Sequence, residues 1–253
     1  GMLHEEMWDI QHKLDGFISK QELFQIWINL PSASKLLSPA VTLLNAKSDA
    51  NTMESASLNL STKGTPDGNS FTVPIPVIKE DEGRIKTVVL VGKYNQYTSA
   101  AKTESPMTIL HVKMKPNAST SWSMDCPESY KTIIIYMRQG SAFVPINNSN
   151  AKNIPEGYQG QEIPTHHTAT LTQNGETLSL NVNKEHGADF MVLMGAPLYE
   201  PVEARGSMVM NTPEEIEMAY NDYGMGKMGL PWDHNLSDEE WSEHVRRSPS
   251  IYR

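Results

Sequence analysis

A single cysteine, Cys126, stands in the 253 residues. An intrachain disulfide is therefore impossible, and so is any zinc site built on cysteines. No apolar run approaches the ~20 residues that a helix needs to cross a bilayer. Positive charge is also scarce, with 21 Lys and Arg against 30 Asp and Glu and a formal charge of −9. A direct nucleic-acid binder needs a basic face, and the short Arg246-Arg247 cluster does not supply one. Missing too are the Gly-x-Ser-x-Gly elbow, the phosphate-binding Walker loop and the Rossmann glycine pattern. Asn-x-Ser sequons begin at Asn59, Asn117, Asn147 and Asn235. No signal peptide precedes them, so they read as chance matches in a soluble, intracellular chain.

What the sequence does contain is a strand pattern. Apolar residues make up 38%, lean but enough for a core, and 16 Gly with 16 Pro suit a turn-rich globular protein. Phe24, Ile26, Ile28 and Leu30 alternate with Gln25, Trp27 and Asn29 up to Pro31, a period-two strand with one buried face. Residues 45–71 are dominated by Asn, Ser, Thr, Asp and Gly and read as a polar insertion. Strand signals return at 86–91, 108–114, 132–137, 142–146, 168–171, 178–182 and 190–194, with turn residues between them. Seven short strands so spaced predict a β-sandwich or small barrel. Two capping boxes then open helices: Thr212-Pro213-Glu214-Glu215, with Gly224 as the stop, and Ser237-Asp238-Glu239-Glu240.

Among residues able to do chemistry, His4 and Glu6 stand out. On a strand they share a face while Glu5 points away. A neutral imidazole beside a carboxylate is half of a site for iron, manganese or zinc; a catalytic ion normally takes three protein ligands and keeps an open position. The plainer reading is a solvated strand end. His12, His111, His186, His234 and His244 are scattered, and His166 and His167, if on a strand, face opposite ways. Cys126, between Asp125 and Pro127-Glu128, is expected to be a poor nucleophile, its pKa raised by acidic neighbours.

Several stretches together resemble the pirin family of bicupins. These are Gly1-Met2-Leu3-His4-Glu5-Glu6-Met7, Phe24-Gln25-Ile26-Trp27-Ile28-Asn29-Leu30-Pro31, and Pro164-Thr165-His166-His167-Thr168-Ala169. Gly195-Ala196-Pro197-Leu198-Tyr199-Glu200-Pro201-Val202 and Val209-Met210-Asn211-Thr212-Pro213-Glu214-Glu215-Ile216 complete the set. The resemblance covers about residues 1–30 and 77–229, and the motifs occur in the family's order.

The resemblance implies an all-β fold: a cupin (jelly-roll), pirin-like bicupin with a truncated first cupin, plus short C-terminal helices. It divides the chain into a remnant of the N-terminal cupin (1–44), a polar insertion (45–76), a C-terminal cupin (77–200) and a helical extension (201–253). It implies one mononuclear iron (Fe) held by a His-x-His pair and a downstream His-x-Glu pair. His4 and Glu6 match the second pair by position, and nothing in this sequence matches the first. Residues 1–44 are thus expected to be poorly specified alone, because an incomplete jelly roll leaves unpaired edges.

Three functions follow from the resemblance. One is a quercetinase-like dioxygenase acting on a flavonol, in which Glu6 could also serve as base. Another is a metal-dependent nuclear cofactor that binds a transcription factor-like protein partner. The third is an inactive fragment. Each places the chain in the cytoplasm or nucleus, with no direct nucleic-acid contact and no membrane association.

Overall fold

The computed structural model describes residues 1–4, 23–45, 70–118, 121–145, 160–172, 175–229, 231 and 233–247. They form two units, residues 40–198 and residues 1–39 with 199–253.

In the unit of residues 40–198, alternation builds two antiparallel sheets. Strands β3 (Val77–Glu80), β4 (Ile85–Val91), β7 (Met107–Met114), β9 (Thr132–Gly140), β12 (Thr168–Leu171) and β14 (Ala188–Gly195) form the larger, in the order β12-β9-β14-β7-β4-β3. Strands β8 (Ser121–Asp125), β10 (Ala142–Pro145), β11 (Gly160–Ile163) and β13 (Thr177–Val182) form the smaller, in the order β11-β10-β13-β8. Two short pairs stand apart: β1 (Val41–Asn45) lies parallel to β2 (Ser70–Pro74), and β5 (Lys93–Tyr94) pairs with β6 (Tyr97–Thr98).

Side chains of one parity from both sheets fill one core. Leu110, Val112, Ile135, Met137, Phe190 and Val192 from the six-stranded sheet meet Trp122, Met124, Leu178, Leu180 and Val182 from the four-stranded one. Burying each large aliphatic or aromatic side chain stabilises the fold by about 1.5–3 kcal/mol. Trp122 stacks on Tyr94 at 5.7 Å and meets Phe190 edge-on at 5.5 Å. The result is an all-β jelly roll, and all seven strands expected from residue 86 onward are present.

The opposite face of the six-stranded sheet carries a smaller apolar cluster of Ile75, Val77 and Val88, with Leu90 against it. Tight turns set the register at one end. Gly187 adopts φ +67°, and a Cβ there would lie 2.2 Å from the carbonyl oxygen of Met114, so only glycine fits without displacing β7.

In the other unit, β15 (Glu203–Arg205) and β16 (Met208–Met210) form a hairpin leading into helix α1 (Pro213–Gly224). Thr212 caps α1: its side chain accepts from Glu215 N, while Glu215 Oε2 accepts from Thr212 N. Ser237 and Glu240 cap α2 (Asp238–Arg247) in the same way. Both helices thus start where their capping residues predict.

The expected strand at 24–30 is not there. Residues 23–30 belong to no strand, and Phe24, Trp27 and Ile28 are exposed. Alternation supplies one apolar face, but a strand also needs a ladder, and no described strand pairs with this segment. The polar stretch at 46–69 lies outside the described residues.

Candidate functional site

His4 is exposed. The backbone beside it is tied down, since Leu3 N donates to Met228 O at 2.8 Å, in the turn after α1. Glu6, Glu5 and His12 lie outside the described residues. Among the described residues no group of three or more His, Cys, Asp or Glu side chains could hold a metal ion. His4 and Glu6 make at most two donors, fewer than a mononuclear catalytic site takes. The described side chains therefore do not fit a resident metal by themselves.

Among the described residues the interior of the jelly roll offers none either. Two polar pairs lie there: Trp122 Nε1 donates to Thr87 Oγ1 at 3.3 Å, and the Tyr94 hydroxyl donates to Glu80 Oε2 at 3.0 Å. Burial, reinforced by the Glu80 charge, pushes the Tyr94 hydroxyl pKa well up, so it remains a proton donor. Cys126 is buried in this core. Its thiol pKa is raised, as expected, but mainly because burial disfavours the thiolate; Lys131 pulls weakly the other way.

His166 and His167 occupy a turn ahead of β12 rather than a strand, so alternation does not govern them. His166 takes φ +61°, its N–H donates to Met137 O, and His167 Nδ1 lies 2.9 Å from Thr165 O.

A charged cluster sits on the face of the six-stranded sheet that points away from the jelly-roll core. Asp189 on β14 is 4% exposed. Arg138 Nη1 donates to its Oδ1 at 2.8 Å, His111 Nε2 lies 2.8 Å from the same oxygen, and Lys113 Nζ lies 3.1 Å from Oδ2. Desolvation is the largest influence on this carboxyl and pushes its pKa up. His111, Lys113 and Arg138 outweigh it and hold the group below the ordinary carboxylate range. Asp189 and Arg138 gave no motif; the available signal was a lone Asp at the start of an apolar strand, where a buried carboxylate demands a partner.

A second polar cluster fastens the unit of residues 1–39 and 199–253. Glu200 accepts from Ser32 N at 2.7 Å, Ser32 Oγ at 3.2 Å and Asn211 Nδ2 at 3.1 Å. Lys35 Nζ donates to Asn29 Oδ1 and to Val209 O. Three of the quoted motif stretches, those ending in Pro31, holding Glu200 and holding Asn211, thus interlock. Their geometry is that of a clasp rather than of a reaction centre.

The Pirin C-terminal cupin domain family matches residues 109–229. This stretch is a pirin C-terminal cupin domain. A Pseudomonas aeruginosa protein named "Putative quercetin 2,3-dioxygenase" is 28% identical over 234 residues, which cover 91% of this chain and 65% of that protein. Pirin of Homo sapiens is 28% identical over 230 residues, covering 91% of this chain and 62% of its own length. The chain thus spans just under two thirds of these relatives. A crystal structure of quercetin 2,3-dioxygenase from Acinetobacter baumannii matches 61% of this chain and 48% of its own, with 32% identity and a TM-score of 0.50. The pirin domain begins inside β7, so Asp189, Arg138 and His111 all belong to it, as does the Glu200–Asn211 half of the clasp.

Proposed function

We propose that this chain belongs to a pirin-type protein with quercetin 2,3-dioxygenase-like oxidoreductase character, to whose mononuclear iron His4 and Glu6 contribute one nitrogen and one oxygen donor. The observation that carries the reading is the pirin domain at 109–229, together with relatives named for quercetin 2,3-dioxygenase. Imidazole plus carboxylate suits iron and leaves positions open for a substrate such as a flavonol. Helices give no sign of membrane insertion: among the described residues none is long and apolar enough to cross a bilayer. An intracellular location, cytoplasmic or nuclear, accompanies the proposal.

The test is iron retention. The chain is loaded anaerobically with Fe²⁺, desalted and assayed for bound metal and for quercetin consumption. Quercetin consumption is not expected from these two donors alone, whereas His4→Ala and Glu6→Ala are each expected to lower the iron retained. Iron held equally by both variants overturns the ligand assignment. Quercetin consumption that persists in both variants overturns the dioxygenase reading at this site.

A second reading, a module that binds a protein partner such as a transcription factor, is supported by the distribution of exposed apolar side chains. Among the described residues, all the exposed large hydrophobic side chains but Val41 and Leu44 fall in the unit of residues 1–39 and 199–253, with Tyr199 at 84%, Leu36 at 81% and Trp27 at 64%. Exposed apolar side chains mark an interaction surface where they form a contiguous patch. A pull-down from nuclear extract whose captured protein is unchanged by chelator and by His4→Ala counts against metal-regulated binding.

A further inference from the structure

Arg138, His111 and Asp189 form a triangle on the outer face of the six-stranded sheet. Arg138 Nη1 to Asp189 Oδ1, His111 Nε2 to the same oxygen, and Arg138 Nη1 to His111 Nε2 are each 2.8 Å. Three neighbouring strands bring the groups together. His111 on β7 is opposite Met191 on β14, and Lys113 is opposite Asp189. A β-bulge supplies the third corner: Asp189 is opposite Gln139 and Phe190 is opposite Met137, which leaves Arg138 as the extra residue of β9. Bulges re-aim side chains, and here the guanidinium reaches Asp189.

The three contacts are never all hydrogen bonds at once. Arg138 stays protonated throughout, so Nη1 only donates. Asp189 Oδ1, part of a carboxylate kept ionised by its neighbours, only accepts. His111 Nε2 does either, according to whether it carries a proton. Bare, it accepts from Arg138 and meets the Asp189 oxygen lone pair to lone pair. Protonated, it donates to Asp189 and meets the Arg138 N–H donor to donor. One proton therefore decides which side of the triangle repels.

We propose that His111 is a proton-operated switch that exchanges Arg138 for Asp189 as its partner. A guanidinium offers five N–H groups and an ammonium three, against about four lone-pair sites on one carboxylate. Donors are thus in surplus around Asp189, with Arg138 and Lys113 both directed at it. In the neutral ring a lone pair at Nε2 serves this cluster better than another N–H, so the ring proton sits on Nδ1. In that state the guanidinium ties β9 across β14 to β7. Once the ring is protonated, Nε2 ties β7 to β14 and pushes the guanidinium of β9 away from β7. The other groups that face the ring are Val88 on β4 and Met191 on β14, both opposite it, with Tyr136 on β9 beyond Met191. Among charged groups, Lys113 lies on β7 itself, Lys86 on β4 is opposite Lys113, and Lys79 on β3 is opposite Lys86. Lys113 and Lys86 add to the field that Asp189 answers, and neither is placed to take the proton from Nε2.

The test is nitrogen NMR of the histidine rings and arginine side chains of the full chain, between about pH 8 and pH 5, where imidazoles ordinarily titrate. At the alkaline end His111 Nε2 is expected to show the shift of a bare, accepting nitrogen, with the proton on Nδ1. On acidification an Nε2–H signal should appear, and the Arg138 Nε–H signal should move with the same midpoint. In His111→Phe the Arg138 signal should stay put over this range, while the Ile135 amide reports an unchanged core. A double-mutant cycle of His111→Phe and Arg138→Met in urea gives the coupling itself. At the alkaline end it should favour the folded chain by about tenfold in the unfolding equilibrium constant, the size of one hydrogen bond to a charged group, and at the acidic end it should vanish or reverse. Where Arg138→Met does not fold, the NMR titration decides alone. An Nε2–H already present at the alkaline end, an Arg138 signal indifferent to His111 titration, or a coupling equal at both ends overturns the proposal.

Discussion

Arg138 on β9 donates to Asp189 on β14 at 2.8 Å, with side chains 11% and 6% exposed, on the sheet face that points away from the jelly-roll core. The pair is buried without belonging to the apolar core. Removing one partner of such a pair strands the other charge. Asp189→Ala is expected to cost about 3–5 kcal/mol in chemical denaturation, whereas Asp189→Leu combined with Arg138→Met should recover most of that loss. A double variant as unstable as the single one shows that the charges themselves are required.

The same carboxylate sets a pH dependence. Desolvation alone would raise its pKa, but His111, Lys113 and Arg138 hold it below the ordinary range in the folded chain. The unfolded Asp titrates near ~3.9. A depressed folded value means that the stabilisation is fully present above the unfolded pKa and is lost as pH falls through the folded one. Denaturation midpoints should therefore fall on acidification below about pH 4, and Asp189→Asn should flatten that part of the profile. An unchanged slope in the variant rules out Asp189 as its source.

Glu200 makes a second test possible in the clasp. The Ser32 amide is the chief reason its carboxyl is held low, and Asn211 and the Ser32 hydroxyl add to it. Glu200→Gln keeps the shape and removes the charge. The Ser32 amide is expected to exchange with solvent markedly faster in the variant, while Ile135 in the jelly-roll core exchanges as before. Equal protection of Ser32 in both chains shows that the carboxylate does not hold that segment.

Much of the jelly roll is legible in the sequence because one buried face imposes a period of two. That period is visible at Ile133, Ile135 and Met137, and again at Leu178, Leu180 and Val182. It is equally strict at β8, where Trp122 and Met124 are buried between exposed Ser121, Ser123 and Asp125, yet only two large apolar residues mark it. Short β11, with Gln161 and Glu162 at its centre, carries almost no signal. Phe24–Leu30 shows the converse, a clear period with no ladder. Local pattern reports which face a strand would bury, not whether a neighbouring strand exists. The charged cluster was harder still to read, since Lys79, Lys86, Lys113 and Asp189 come together only through the register of four strands.

Trp122 offers the sharpest probe of the core, because it is 3% exposed and carries both a stacking contact and a hydrogen bond. Trp122→Phe keeps an aromatic ring but leaves the fully buried Thr87 hydroxyl without its indole donor. Losing a partner for a buried polar group costs about 1–3 kcal/mol, and the smaller ring adds a cavity cost. Adding Thr87→Val removes the stranded hydroxyl. It should return the hydrogen-bond part of the loss and leave the cavity part, so the double variant lies between wild type and Trp122→Phe in urea denaturation. If Thr87→Val brings no recovery, the 3.3 Å contact contributes nothing and the indole stabilises by packing alone.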